Sequence, residues 1–440
     1  MIKITFIGAG STVFVKNVLG DSLLSPVLCE SEIALYDIDE TRLKESQMLI
    51  ERLNEKINHS KAVIKTYLGM ESRKEALRNA TFVINAIQVG GYDPCTITDF
   101  EIPKKYGLRQ TIGDTLGIGG IFRALRTIPV LDDLVADMEK VCPEAWLLNY
   151  TNPMAILTGY LQRYSNIRTI GICHSVQVCA SELLRGVGMD EYVDQVETTI
   201  AGINNMAWLL SIHDLNGRDL YPEIKRRAAE RSRKEKHNDM VRYEYLRRLG
   251  YYCTESSEHN AEYNMFFIKS KYPELIEKYN IPLDEYPRRC VQQISDWEKT
   301  RDSLLGDLHI THERSREYAS RIMEAMITGV PVKIGGNVIN TGLITNLPSK
   351  ACVEVPCLVD RSGITPCHMG ELPLQLAAMN MTNINTQLLT IEAARTKRRE
   401  VLYQAAMMDP HTASELSIDD IVSMCDDLLE AHKDWLPEYK

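Results

Sequence analysis

The chain has 440 residues, 44% hydrophobic and 25% charged, a composition typical of globular proteins and a length that predicts two or three domains. Its formal net charge of −10 argues against nucleic acid or an acidic membrane as a partner, because surfaces that bind phosphate are basic. No apolar run approaches the roughly 20 residues that cross a bilayer. Eleven cysteines without a Cys-x-x-Cys pair indicate neither a disulfide framework nor a zinc site, and we predict a reducing, cytoplasmic location.

The first residues have the pattern of a nucleotide-binding strand, turn and helix. A short apolar run over residues 2–7 leads into Gly8-Ala9-Gly10-Ser11, and apolar residues at helical spacing follow. Glycines let the backbone approach a diphosphate, and the free amides at the start of a helix favour its negative charge. Val13 replaces the third glycine of the usual motif, so the motif alone is weak.

The second predicted strand strengthens this interpretation. It covers residues 33–36 and ends at Asp37, where a carboxylate can bond the ribose hydroxyls and repel the extra phosphate of NADP. We therefore predict NAD as the cofactor. Alternating helical and extended patterns follow, as expected for a doubly wound sheet: a helix over 40–57, a strand over 63–67, a helix over 71–79 and a strand over 82–87.

Two further segments are candidates for ligand contacts. Gln88 and Gly90 follow the fourth strand, where the glycine either lets the backbone approach the cofactor or makes a simple turn. Asp114 lies in a glycine-rich polar loop, and Arg123 lies on the helix predicted over 121–140. Arg123 could reach an anion or a sugar hydroxyl, with an exposed salt bridge as the alternative.

The central polar residues follow two apolar runs, over 145–148 and 169–172, that we interpret as buried parallel strands. Four residues come directly after these runs: Asn149, Asn152, Cys173 and His174. Ligands bind at the carboxyl ends of such strands, so we expect these side chains to face one crevice. An asparagine before proline can also be a helix cap, and a single cysteine can be a small buried hydrophobe.

The pattern changes after His174, and we place an approximate domain boundary near residue 195. The remaining chain is predicted to contain strands over 196–201 and 207–212 around a polar turn at 202–206, a mostly helical region over 220–330, strands over 337–347 and 353–359, and helices from 370 to the end. The fold class is thus α/β, with a Rossmann-like doubly wound sheet in residues 1–195 and an α+β domain for catalysis, substrate binding and oligomerisation in residues 196–440. Five ionisable groups within residues 255–263 indicate a site, the alternative being a solvated loop.

These residues match a known family. The chain resembles the NAD- and manganese-dependent glycosidases of glycoside hydrolase family 4, from residues 2–11 to residues 434–437. The specific signature is Leu147-Leu148-Asn149, Asn152-Pro153 and Gly171-Ile172-Cys173. Residues 254–259 and 407–411 resemble the α-galactosidase branch of the family in particular.

The resemblance implies hydrolysis of small α-galactosides such as melibiose, by a route that is an exception to two-carboxylate glycoside hydrolysis. In this route NAD takes a hydride from sugar C3, a base removes the proton at C2, and elimination expels the aglycone from C1 with help from an acid. Water then adds and the hydride returns. Mn²⁺ across O2 and O3 stabilises the enolate.

The resemblance also implies roles for individual residues. The metal ligands are Cys173 and a histidine in a Gly-x-Asn-His turn, which here reads Gly202-Ile203-Asn204-Asn205, so Asn205 stands at the histidine position. An amide oxygen is a weaker ligand than imidazole for a transition metal. His174 has the position of the acid, and the candidates for the base are Glu255, Glu258, His259 and Tyr263.

The remaining predicted contacts divide between cofactor and sugar. The cofactor contacts are Gly8, Gly10, Ser11, Asp37, Gln88 and Gly90. The substrate contacts are Asn149, Asn152, Asp114 and Arg123. The predicted partners are a small glycoside and further copies of the chain, as a dimer or tetramer. The alternatives are an α-glucosidase or α-galacturonidase of the same family, a 2-hydroxy-acid dehydrogenase of the malate or lactate type, and a variant impaired by Asn205.

Overall fold

The structure is a computed structural model that describes residues 1–306 and 311–440. Within these residues the strands form one 12-stranded sheet. They are Lys3–Ile7 (β1), Glu32–Asp37 (β2), Val63–Leu68 (β3), Phe82–Asn85 (β4), Trp146–Asn149 (β5), Arg168–Gly171 (β6), Val196–Ile203 (β7), Met206–Asp214 (β8), Tyr252–Cys253 (β9), Val332–Ile339 (β10), Cys352–Asp360 (β11) and Gly363–Pro366 (β12).

Helices cover the sheet and form the carboxyl-terminal part of the chain. They are Thr12–Leu23 (α1), Glu40–Asn58 (α2), Arg73–Leu77 (α3), Ile97–Lys105 (α4), Gly117–Val141 (α5), Met154–Tyr164 (α6), Ser175–Gly186 (α7), Tyr221–Lys234 (α8), Met240–Leu249 (α9), Ser257–Glu262 (α10), Glu274–Lys278 (α11), Glu285–Gly306 (α12), Ala319–Thr328 (α13), Leu374–Thr396 (α14), Arg399–Met408 (α15), Pro410–Glu415 (α16) and Ile418–Ala431 (α17). Among the described helices, none combines the length and the apolar character needed to cross a membrane.

The amino-terminal half is a parallel sheet in the order β3-β2-β1-β4-β5-β6. This is the strand order of dinucleotide-binding folds. The register pairs Ile7 with Asn85, Asn85 with Asn149, and Asn149 with Gly171, so the strands end at one edge. The predicted Rossmann-like sheet is confirmed.

Both faces of this sheet are covered, as β1 illustrates. Phe6 belongs to a core with Leu19 of α1 and Leu49 of α2. Its neighbour Ile7 points to the opposite face and belongs to a second core with Leu131 of α5. A strand buried on both faces is apolar throughout, which is why these strands could be recognised as continuous apolar runs.

Antiparallel strands extend the sheet beyond β6. Asn337 of β10 pairs with Gly171 of β6, β11 follows β10, and Glu354 of β11 pairs with Gly202 of β7. The turn between β7 and β8 thereby comes close to the end of β6. Because strands from both sides of residue 195 form one sheet, the proposed division into two domains stays a prediction.

The strand predicted over 337–347 is wrong from residue 340 onward, and the observed strand begins earlier, at Val332. The strand, β10, ends at Ile339, and the chain then turns around the side chain of Asn340. Its Nδ2 donates to the carbonyls of Ile344 and Leu347, both at 2.9 Å, and its Oδ1 accepts from the Ile344 amide at 2.9 Å. An asparagine that bonds the backbone in this way competes with strand pairing.

One helix begins earlier than predicted, and one segment with two alternative interpretations forms a helix. Helix α5 begins at Gly117 rather than at 121, because its glycines allow close packing: a Cβ on Gly119 would lie 2.2 Å from the Gly113 carbonyl oxygen. Residues 257–262, within the segment considered as either a site or a solvated loop, form helix α10, and Asn260 and Glu262 on it are buried.

A buried ion pair fixes α4 against α5. Both terminal nitrogens of Arg126 donate to the Asp99 carboxylate, at 3.1 and 2.6 Å, and the exposed fractions of the two side chains are 0% and 3%. His432 Nε2 lies 2.8 Å from Asp99 Oδ1, and Arg126 Nε donates to the Val89 carbonyl at 3.1 Å. The pair thus also holds the loop after β4.

We expect Arg126→Met to destabilise the protein by about 3 kcal/mol, because it leaves the Asp99 charge buried without its main partner. The midpoint of thermal unfolding measures this. Arg78→Met is the control, since Arg78 pairs with Glu75 on the surface, with exposed fractions of 53% and 63%, and should leave the midpoint unchanged. Equal shifts of the unfolding midpoint in the two variants would contradict the stabilising role of the buried pair of Arg126 and Asp99.

Candidate active site

The carboxyl ends of the parallel strands and the β7–β8 turn surround one region, which we call the crevice. Its first element is the glycine turn after β1. The amides of Gly8 and Ala9 donate to the Tyr36 carbonyl at 3.0 Å. Gly8 has a φ of +89°, and a Cβ there would lie 2.7 Å from the Ala86 carbonyl oxygen. The turn therefore requires glycine, and it brings backbone amides to the edge of the sheet.

The start of α1 and the end of β2 together fit a dinucleotide. In the described part of the chain no side chain caps α1, whose N-cap residue is Ser11, and its first turn has no acidic residue, so its free amides are available to an anion. The Asp37 carboxylate accepts from the Gly10 amide at 2.5 Å and the Asp39 amide at 2.9 Å. A carboxylate has about four acceptor sites, which leaves capacity for ribose hydroxyls.

The loop after β4 contacts Cys95 and Thr96, which follow it in the chain. Gly90 has a φ of +78°, and a Cβ there would lie 2.1 Å from Cys95 Sγ, so glycine is required by packing. Gln88 is exposed, and its Nε2 donates to Thr96 Oγ1 at 3.3 Å. Gly90 therefore has a structural explanation, and the cofactor contacts predicted for Gln88 and Gly90 stay predictions.

Asn149 and Asn152 have different surroundings. Asn149 is completely buried: its Oδ1 accepts from Asn85 Nδ2 at 2.9 Å, and its Nδ2 lies 3.2 Å from both the Thr151 carbonyl and Thr158 Oγ1. It joins β4, β5 and α6 and does not face the crevice. Asn152 is half-buried and is the asparagine of this pair that remains open to a ligand.

Cys173 is half-buried at the end of β6, and its backbone is held by a tyrosine that sequence reasoning missed. The Cys173 amide donates to the Tyr318 hydroxyl at 2.9 Å, and this hydroxyl lies 2.8 Å from the Cys173 carbonyl and 3.1 Å from that of Gly335. Burial, with the charges of Glu354 and Glu255, raises the pKa of the Cys173 thiol to about 12.

The β7–β8 turn presents Asn205 to this thiol. The Cys173 thiol donates to Asn205 Oδ1 at 3.5 Å, while Asn205 Nδ2 lies 3.1 Å from the Tyr263 hydroxyl and 3.4 Å from Thr115 Oγ1. Asn205 has a φ of +62°, a left-handed conformation that asparagine adopts more readily than most residues. The amide oxygen and the sulfur therefore face each other.

Cys173 and Asn205 are the residues that could hold a metal ion at the crevice. Within the described residues no group of three or more His, Cys, Asp or Glu side chains could hold a metal. Cys173 and Asn205 supply a sulfur and an oxygen donor 3.5 Å apart. The donor set fits an ion that takes its other ligands from substrate or water, and it lacks the imidazole that the resemblance led us to expect.

His174 is paired with a glutamate that the sequence did not reveal. His174 Nε2 lies 2.6 Å from Glu317 Oε1; 44% of the histidine side chain is exposed and 8% of the glutamate. Burial lowers the pKa of His174, but the hydrogen bond and the charge of Glu317 outweigh it and raise this pKa above the usual value. The imidazolium is thus stabilised at the crevice.

The candidates for the base divide into two groups. Tyr263 is buried beside Asn205, and the half-buried His259 lies near it, with a ring separation of 6.1 Å. Glu255 Oε1 lies 3.7 Å from His259 Nδ1. Glu258 instead forms a salt bridge with Arg289 of α12. The structure therefore brings Tyr263, His259 and Glu255 together, whereas Glu258 is paired with Arg289.

Asp114 and Arg123 are both buried. Asp114 accepts from Thr115 Oγ1 at 2.8 Å. The guanidinium of Arg123 lies 5.7 Å from the centre of the Tyr286 ring. Burial lowers the pKa of Arg123, but the charges of Tyr286 and Asp114 outweigh this effect and raise it. Arg123 is therefore a buried cation and not part of an exposed salt bridge.

Comparison with known proteins identifies the family. The model for family 4 glycosyl hydrolases matches residues 3–189, and the model for the C-terminal domain of that family matches residues 200–412. The chain is 65% identical over 440 residues to an alpha-galactosidase of Bacillus subtilis (strain 168), with 100% of both chains covered.

Solved structures agree in fold. A putative glucosidase from Bacillus subtilis has a TM-score of 0.85 at 24% identity, covering 98% of this chain and 100% of that one. A 6-phospho-alpha-glucosidase from gut microorganisms, in complex with NAD and Mn²⁺, has a TM-score of 0.83 at 19% identity and covers 100% of both chains. The resemblance found in the sequence is confirmed, and the chain belongs to the family 4 glycosyl hydrolases.

Proposed function

We propose that the chain is an α-galactosidase that acts on small α-galactosides such as melibiose and depends on NAD and Mn²⁺. The observation that carries this proposal is the shared crevice, in which the glycine turn after β1 and the facing pair of Cys173 and Asn205 lie at one edge of the sheet. The relative that is 65% identical over the whole chain is an alpha-galactosidase. A structure of the same fold contains NAD and Mn²⁺.

The two cofactors would supply what protein side chains cannot: NAD would supply reversible hydride transfer with the sugar, and Mn²⁺ would supply a Lewis acid. The protein binds and orients them. The free amides at the start of α1 bind the diphosphate, which the glycine turn allows to approach the backbone, and Asp37 binds the ribose hydroxyls. Cys173 and Asn205 hold the ion. A nearby cation favours the thiolate, which burial otherwise disfavours.

His174 is the proposed acid. Its ring is half exposed, so that it can reach a leaving oxygen, and Glu317 stabilises its protonated form. Because its pKa is raised and its ring stands at the crevice, His174 can donate a proton as the aglycone leaves.

Tyr263 is the proposed base among the four candidates. Burial, with the charges of Asp114 and Glu262, raises the pKa of Tyr263 well above its usual value. The hydrogen bond from Asn205 Nδ2, 3.1 Å from the hydroxyl oxygen, acts against this shift by stabilising the phenolate that forms when the tyrosine acts as a base. Glu255 and His259 adjoin it, whereas Glu258 is used in its salt bridge with Arg289.

The proposed setting is a reducing cytoplasm. All eleven cysteines are free, including the exposed Cys367, in the residues that the structure describes. A metal-binding Cys173 also requires a reduced thiol. Assembly into a dimer or tetramer is proposed from the family resemblance alone.

We expect the protein, stripped of nucleotide and metal, to hydrolyse an α-galactoside only when both NAD and Mn²⁺ are returned under reducing conditions. Release of a chromogenic aglycone measures this, with the matching α-glucoside and α-galacturonide tested in parallel. Equal hydrolysis with and without the two cofactors would contradict the proposal. Stoichiometric accumulation of NADH would instead favour a dehydrogenase, because the glycosidase cycle returns its hydride.

We expect Asn205→His to tighten Mn²⁺ binding roughly tenfold or more, because imidazole is the stronger ligand and even residues behind the ligands change affinity roughly 10- to 100-fold. Histidine also tolerates the left-handed backbone. Titration of Mn²⁺ against the stripped protein with NAD measures the affinity.

Asn79→His is the matched control. Asn79 is exposed, has a φ of +59° and lies in the turn after α3, far from the crevice. The control should leave Mn²⁺ affinity unchanged. An unchanged affinity in Asn205→His as well would place residue 205 outside the metal site.

A further inference from the structure

Glu262 is a buried carboxylate whose hydrogen-bond partners are three consecutive backbone amides. It lies at the end of α10, and only 3% of it is exposed. Thr111 donates to Oε2 at 2.7 Å, Gly113 donates to Oε1 at 2.7 Å, and Ile112 lies 3.2 Å from both oxygens. We call this arrangement the amide clamp. It joins α10 to the loop before α5, although the two are far apart in sequence.

The clamped loop is the part of the chain that carries Asp114 and Thr115. The Thr115 hydroxyl donates to Asp114 Oδ1 at 2.8 Å and lies 3.4 Å from Asn205 Nδ2. In the other segment that the clamp joins, Glu262 is followed directly by Tyr263, whose hydroxyl lies 3.1 Å from Asn205 Nδ2. Both segments joined by the clamp therefore also contact the side-chain amide of Asn205.

These contacts determine which way the amide of Asn205 points. Its nitrogen faces the hydroxyls of Thr115 and Tyr263, so its oxygen faces the thiol of Cys173. If the loop moved away from α10, the nitrogen would lose one acceptor and the oxygen would lose its fixed direction. A buried polar network keeps one arrangement only while each of its members is satisfied.

We propose that Glu262 is a positioning residue: through the amide clamp it sets the spacing between Thr115 and Tyr263 and so directs the oxygen of Asn205 toward the ion held with Cys173. The inference rests on the proposed function, whose metal site it completes. Glu262 does not touch substrate or cofactor. Its role is to hold the groups that do.

The clamp requires a carboxylate. Three amides that converge on two oxygens form a cradle for negative charge. Glutamine offers one oxygen and one NH₂ group, and the NH₂ group would face backbone donors and leave at least one of them without a buried acceptor. Aspartate keeps both oxygens on a chain shorter by one methylene. Burial raises the pKa of Glu262 to about 7, although the hydrogen bonds from the Gly113 and Thr111 amides lower it.

The test compares Glu262→Gln and Glu262→Asp with the parent in three measurements: hydrogen exchange of the peptide containing residues 110–116, Mn²⁺ binding from the electron paramagnetic resonance of free Mn²⁺, and NAD binding from tryptophan fluorescence. We expect Glu262→Gln to expose the peptide to exchange and to weaken Mn²⁺ binding roughly tenfold, as for other groups that orient ligands. NAD binding should stay unchanged. Glu262→Asp should recover part of the Mn²⁺ affinity.

Glu415→Gln is the matched control. Glu415 also accepts a backbone amide, that of Ser270 at 2.7 Å, and its side chain is 5% exposed, but its segment lies outside the crevice. We expect it to keep the parent's Mn²⁺ affinity. Parent-like Mn²⁺ binding in Glu262→Gln, an equal loss in Glu415→Gln, or an equal loss of NAD binding would overturn the proposal.

Thr115→Val tests the same path if Glu262→Gln does not fold. Valine keeps the shape of threonine and removes the hydroxyl that faces Asn205, so Mn²⁺ binding should weaken while the amide clamp and its slow exchange remain. Unchanged Mn²⁺ binding in this variant would overturn the proposal. If the parent binds both cofactors but hydrolyses no glycoside, the proposed function fails, and the exchange and binding measurements still decide the role of Glu262.

Discussion

The side-chain amide of Asn205 is the contact that joins the separate parts of the crevice. Its nitrogen faces the hydroxyls of Tyr263 and Thr115, and its oxygen accepts from the Cys173 thiol. These partners come from three segments that are distant in sequence, and the side-chain amide of Asn205 contacts all three. The left-handed φ of Asn205 is compatible both with asparagine and with the histidine that the family resemblance predicted.

The topology of the sheet makes this contact possible. Strands β10 and β11, from the last third of the chain, lie between β6 and β7, and the register pairs Gly171 with Asn337 and Gly202 with Glu354. The half with the nucleotide-binding strand order and the β7–β8 turn that carries Asn205 therefore share one continuous backbone framework. In the proposed mechanism, hydrogen-bonded strands rather than a flexible hinge set the spacing between hydride transfer and metal binding.

Sequence patterns predicted the elements whose structure depends on residues that are close together in sequence. Buried parallel strands are apolar throughout, and their ends located Gly8, Asp37 and Cys173. The sequence did not reveal Glu317 or Tyr318, because their segment has no motif and their contacts with His174 and Cys173 form only when the chain returns to the sheet. Glu262 was counted among the ionisable groups of its segment, but its amide partners lie on a loop that no spacing rule connects to it.

In the proposed mechanism the crevice breaks a glycosidic bond by removing and returning a proton at sugar C2 rather than by direct displacement at C1. Hydrolysis of an α-galactoside in D₂O, followed by NMR or mass spectrometry of the released galactose, distinguishes the two routes. We expect one deuterium at C2 of the product, because the base exchanges its proton with solvent before the proton returns. Galactose released at a normal rate without deuterium at C2 would contradict it.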